Sequence, residues 1–206
     1  PTAFVVDKNG LIAWIGHPMT MKEQMLEDVL AGKFDVKKAA ADYEKENKNK
    51  LEITTALRAA DMAMRSKDWD TANAKLDEAQ KLMPEGQHTV LDMFRFSILL
   101  GKKDYPGAYK VAERISDDQK DEAMLQNDLA WQIATDPSIE QRDLKLAEKI
   151  ATRANDASKG KNPAILDTLA RVLFMNGKKE EAIALQDKAV KLASGDPSWR
   201  HLTALN

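Results

Sequence analysis

The apolar positions of this chain follow two different periods. Thr2-Ala3-Phe4-Val5-Val6 and Leu11-Ile12-Ala13-Trp14-Ile15 are β-branched and aromatic runs joined by Asp7-Lys8-Asn9-Gly10, whose Asn-Gly supplies the positive φ of a tight hairpin. Both runs are apolar on both alternating faces, the pattern of strands in a sheet covered on either side. From residue 20 the spacing becomes helical. Thr20-Met21-Lys22-Glu23 has the form of a capping box, Met25, Leu26, Val29 and Leu30 make one stripe, and Gly32 is a stop. Asp35 can then cap a long helix to about Ser66, with Ala39, Tyr43, Leu51, Thr55, Ala59 and Met62 among its inner positions. Its polar first half, residues 35–50, reads as a helical spacer.

Beyond residue 50 the chain repeats itself. Over 162–193, Asn162-Pro163 opens a helix with Leu166, Leu169, Ala170 and Leu173 on one stripe, and Gly177 ends it. A second helix follows with Ala182, Leu185, Gln186 and Ala189. Measured from Ala182, the offsets to Leu169, Ala170, Leu173, Gln186 and Ala189 recur around Ala72 as Ala59, Ala60, Ala63, Leu76 and Ala79. Around Ala108 they give Arg95, Phe96, Leu99, Ala112 and Ile115. Ala147, Ala151 and Ala154 repeat the second half. Leu129, Ala130 and Ile133 complete that unit if its turn is longer, a break supplied by Asp136-Pro137-Ser138. A two-helix unit of about 34 residues cannot bury its apolar faces alone, so the units must stack. Pro84-Glu85-Gly86, residues 101–107 and Ser116-Asp117-Asp118-Gln119, a second capping box, mark boundaries. The units are 51–84, 87–116, 117–158 and 162–194, with 196–206 as a terminal cap.

Composition narrows the chemistry. With 31 basic and 33 acidic residues the net charge is −2, so no global field favours nucleic acid or an anionic membrane. No apolar run approaches the roughly 18–20 residues needed to span a bilayer. The absence of cysteine excludes a disulfide, a thiolate nucleophile and a zinc–thiolate site within this chain. His17, His88 and His201 have no ligand spacing, no glycine-rich phosphate loop occurs, and Asp117-Asp118 and Glu180-Glu181 read as carboxylates at helix starts. No catalytic residue, metal ligand or cofactor is assigned to these residues.

The small residues at the two crossing points of each hairpin, with Pro84 at a repeat boundary, resemble the tetratricopeptide (TPR) repeat. That resemblance implies a mainly α fold, an α-α superhelix of about four TPR-like hairpins, and a protein or peptide ligand. In such a stack the first helices line the concave side. The positions between their packing residues are then Arg58, Asp61 and Arg65; Met93, Phe94 and Ser97; Asn127, Asp128 and Trp131; and Asp167, Arg171, Phe174 and Met175. Met and aromatic side chains suit adaptable apolar recognition, so these residues line a hydrophobic peptide groove or, on the plainer reading, are core between repeats.

Residues 1–18, followed by a helix, resemble the last third of a thioredoxin-like domain of the TlpA/redoxin type, a thiol–disulfide oxidoreductase and peroxiredoxin family. Pro1 matches the family's cis-proline, and the Asp-x-Asn-Gly turn and Gly16 match as well. The family's first strands, first helix and Cys-x-x-Cys are absent here. The resemblance implies the C-terminal part of an oxidoreductase whose repeats hold a partner near a redox domain that this chain lacks. For the parent it also implies a bacterial periplasmic or membrane-tethered setting, with the compartment left open. The other reading is a non-enzymatic scaffold whose ββα element, 1–34, mediates homo-oligomerisation.

Overall fold

The computed structural model describes residues 2–84 and 86–194. Pro1, the terminal segment 196–206, Trp199 and His201 therefore lie outside the described residues. The chain is mainly helical, with a two-stranded antiparallel sheet at its start.

Strands β1 (Ala3–Val6) and β2 (Ile12–Gly16) pair Phe4 with Ile15, Val5 with Trp14 and Val6 with Ile12, so Ala13 is an extra residue in a bulge. The turn is longer than an Asn-Gly pair alone requires. Gly10 N–H donates to the Asp7 carbonyl at 3.0 Å and Asp7 N–H to the Leu11 carbonyl at 2.8 Å. Only Gly10 within it takes a positive φ, +80°. Asp7 fixes this geometry, since its Oδ1 accepts from the Asn9 and Leu11 amides at 2.8 and 2.9 Å. The Leu11 amide chiefly, then that of Asn9, holds the Asp7 carboxyl below its ordinary pKa. Cover on both faces is not found: Phe4, Val6, Ile12 and Ile15 share one face and are 59, 55, 50 and 44% exposed.

The capping box at Thr20 does not form. Pro18–Thr20 is a 3₁₀ turn in which Thr20 Oγ1 donates to the His17 carbonyl and Met19 N–H to His17 Nδ1. Helix α1 (Glu23–Leu30) starts later, at Lys22, with no side-chain cap. Val29 is its buried residue, whereas Leu30, assigned to the same stripe by spacing, faces solvent. Gly32, at φ +69°, ends α1 with paired bonds from Gly32 N–H to Val29 O and Lys33 N–H to Asp28 O.

Helix α2 (Val36–Arg65) is capped by Asp35, whose side chain accepts from the Lys38 amide. Its inner stripe differs from the predicted one. Ala56, Ala60 and Ala63 are buried with Ile53, Leu57 and Met64 packed beside them, while Leu51, Thr55, Met62 and Tyr43 are exposed. Four successive hairpins follow from α2: its second half with α3 (Trp69–Leu82), α4 (Thr89–Gly101) with α5 (Tyr105–Asp118), α6 (Ala123–Thr135) with α7 (Leu144–Ala157), and α8 (Pro163–Met175) with α9 (Lys179–Ser194). Ala72, Ala108 and Ala147 are fully buried and Ala182 is 5% exposed, so a side chain of one carbon stands where each helix pair approaches. Two cores result. Leu76, Leu91 and Ile98 belong to one, Phe96, Leu129, Ile150 and Val172 to the other, and α4 contributes to both.

Three hairpins share one turn. Five residues before the reference alanine stand Lys67, Lys103 and Gly177, at φ +60°, +59° and +81°. The next amide, of Asp68, Asp104 or Lys178, donates back to the Ala63, Leu99 or Leu173 carbonyl at 2.8–2.9 Å. Asp68 and Asp104 then cap the second helix by accepting from Thr71 and Gly107 amides. Residues 116–119 do not start a helix. They close α5, so Asp117-Asp118 lie at a helix C-terminus, and α6 begins after Glu122 without a side-chain cap.

Three outcomes test these local arguments. Lys67→Gly should raise stability by about 1 kcal/mol, because a left-handed residue with a Cβ is strained, and thermal melts followed by circular dichroism will read it. Gly101→Ala should lower it by about 1–3 kcal/mol, because its Cβ would stand 2.4 Å from Trp69 Cη2. The Asp7 carboxyl is depressed in the folded hairpin, so its contribution is present above the ordinary carboxylate range and lost as pH falls through the folded value. Amide shifts of Asn9 and Leu11 should accordingly collapse toward coil values on acidification below about pH 4. The Asp7→Ala hairpin should lack that transition.

Candidate ligand-binding surfaces

The predicted groove residues sit on the first helices α2, α4, α6 and α8, and the fold divides them. Met93 and Met175 pack against the larger core and Phe94 against the smaller, all three half-buried. Arg58, Asp128, Arg171, Trp131 and Phe174 are exposed, the two aromatics by 44 and 55%. Asn127 is 7% exposed; its Nδ2 donates to Asp128 Oδ1 at 3.3 Å, and its own Oδ1 is buried with no donor. The neighbouring polar positions are taken: Asp61 pairs with Arg65, Ser97 donates to the Met93 carbonyl, and Asp167 accepts from Gln186 Nε2. What remains exposed on these helices is Arg58 on α2, Asp128 and Trp131 on α6, and Arg171 and Phe174 on α8.

A larger recess of about 970 Å³ lies on the second helices, between the first turns of α5 and α7 and segment 136–143. That segment is the long turn of the third hairpin, and it is pinned. Ile139 is buried, Glu140 N–H donates to Tyr105 Oη at 3.1 Å, and Tyr109 Oη donates to the Gln141 carbonyl. Arg142 Nη2 donates to the Asp136 carbonyl at 2.7 Å, and the Lys103 ammonium bonds Glu140, which pushes the Lys103 pKa up. The Tyr105 and Tyr109 rings stack at 6.4 Å and 22°, and burial raises the Tyr109 hydroxyl pKa. Sequence reading passed over these residues. Tyr105 and Tyr109 at i and i+4, two aromatics on one face in the hairpin before an extended turn, were the available signal.

Below them a buried polar network ties α5 to α6. Gln126, 1% exposed, accepts from Ser116 Oγ at 2.6 Å and donates to the Ser116 and Gln119 carbonyls at 2.8 Å. Arg153 Nη1 donates to Ser116 Oγ, and its Nη2 pairs with Asp117, lowering that carboxyl's pKa. Ser116 thus serves a core contact and not a cap.

Among the described residues no group of three or more His, Asp or Glu side chains is arranged to hold a metal ion, and no helix is long and apolar enough to cross a membrane. No protein-family model and no curated protein matches the chain.

Gln126→Leu should cost about 2–3 kcal/mol, because it strands the Ser116 and Gln119 carbonyls inside. Urea unfolding will show a lower midpoint with an unchanged slope.

Proposed function

We propose that the helical repeats bind a protein or peptide segment on the α6–α8 face, within a thioredoxin-like thiol–disulfide oxidoreductase whose redox cysteines lie outside this chain. The observation that carries the binding part is the exposure of Trp131 and Phe174 on the neighbouring helices α6 and α8. Trp131 and Phe174 supply apolar contact area, and Arg171 and Asp128 flanking charges. The thioredoxin-like part is supported by the strand, Asp-x-Asn-Gly turn, strand and helix order and by the bare face of Phe4, Val6, Ile12 and Ile15, which a larger sheet domain would cover. Repeats of this kind would raise the local concentration of a substrate thiol or disulfide without taking part in the chemistry.

In the parent protein, Trp131→Ala with Phe174→Ala should raise KM for a protein disulfide at least tenfold while reduction of a small aromatic disulfide proceeds unchanged. Equal effects on both substrates, or none on either, would refute the role.

The same bare sheet face favours a second reading, a scaffold that associates through its N-terminal element. Its strands carry no charged residue to discourage pairing. Light scattering on the purified chain over a concentration series should then show a dimer that Phe4→Lys disperses, whereas a monomer at all concentrations excludes it.

A further inference from the structure

The recess beneath segment 136–143 continues along α7 into a second one of about 610 Å³, the two sharing Lys145, Lys149 and Asn176. Six cations, Lys110, Arg142, Lys145, Lys149, Arg153 and Lys178, line the pair, against three anions, Glu113, Asp143 and Glu148. Six minus three leaves this surface at +3 on a chain whose net charge is −2. Part of that charge is already committed, since Lys149 pairs with Glu113, Lys178 with Glu148 and Arg153 with Asp117. Lys110 and Lys145 form no ion pair among the described residues, and Arg142 Nε is buried without an acceptor. The wall between them is apolar and aromatic, built from Tyr105, Pro106, Tyr109 and Leu144.

The long turn that rims this recess through Gln141, Arg142 and Asp143 is held by side-chain bonds from Tyr105, Tyr109, Lys103 and Arg142, where each of the other hairpins closes in three residues. An ordered insertion that creates a recess of ligand size, with aromatic floor and unpaired cations, has the form of a recognition surface.

We infer that this groove on the second helices takes an acidic extended peptide segment of a partner protein, an apolar or proline residue resting on Tyr109 and Pro106 and carboxylates meeting Lys110 and Lys145. The interleaved Glu113, Asp143 and Glu148 oppose a regular phosphate backbone, whereas a peptide can place acids opposite the cations alone. This surface is separate from the first-helix face on which the proposed function rests, so either can fail without the other.

The test uses the whole 206-residue chain. The probe is an acetylated hexapeptide with a Pro-Leu centre flanked by two acidic residues on each side. Its controls are the lysine-flanked counterpart and an eight-nucleotide single-stranded thymidine oligomer. Amide shifts on titration should move at Tyr109 and across 141–146 with the acidic peptide only. Lys110→Glu with Lys145→Glu should weaken binding at least tenfold, with an unchanged melting temperature showing that the fold is intact. Shifts confined to α6 and α8, equal binding of the two peptides, tighter binding of the oligomer, or full affinity in the double variant would each overturn the assignment.

Discussion

One methyl group sets how closely the two helices of every hairpin approach. Ala72, Ala108, Ala147 and Ala182 occupy equivalent places in α3, α5, α7 and α9, and a larger side chain at any of them would separate helices that now nearly touch. The larger apolar groups pack around these alanines in two cores. Phe96, Leu129, Ile133 and Ile150 fill one core and Leu76, Leu91 and Ile98 the other. Helix α4 carries Phe96 and Ile98 only two residues apart, yet they enter different cores, so this helix is the shared wall through which packing on one side is felt on the other.

Close approach leaves little room for connection, which explains the severity of the turns. A three-residue link must reverse the chain within one helix diameter, and the left-handed residue at Lys67, Lys103 and Gly177 does this while satisfying the last carbonyls. The third hairpin escapes the constraint by lengthening its turn. The lengthened segment is held down by hydrogen bonds from the preceding hairpin, so it forms a rim and not a loose loop.

The repeat was legible in the sequence because it is written in residue size, and size at fixed offsets survives changes in everything else. Gly177 was legible as a stop for a related reason, since glycine has few other reasons to stand between two helical stripes. Lys67 and Lys103 adopt the same backbone conformation, and nothing in a lysine announces it; only their shared offset from the reference alanine could have pointed there. The two apparent capping boxes misled because Ser or Thr three residues before Glu or Gln also occurs where the hydroxyl has other work. Pro18 drew Thr20 into a 3₁₀ turn, and Ser116 faces Gln126 inside the fold. In the long helix the alanine-rich stretch allows more than one stripe, and packing against α3 selected Ala56, Ala60 and Ala63. The groove on the second helices was hidden for a different reason: it joins Tyr105 and Tyr109 to residues more than thirty positions away.

The unbroken helix α2 links the sheet to the repeats. Its last half-buried position on the strand side before the bare stretch is Ala39, and its first residue packed into the repeats is Ile53. Between them lie thirteen residues, exposed but for the half-buried Asn49, and the two positions stand about 21 Å apart along the axis at 1.5 Å per residue. Length and bearing are locked together in such a rod. One residue added within it would lengthen it by about 1.5 Å and also swing the sheet through about 100° around the axis, so whatever the sheet carries is aimed as well as spaced.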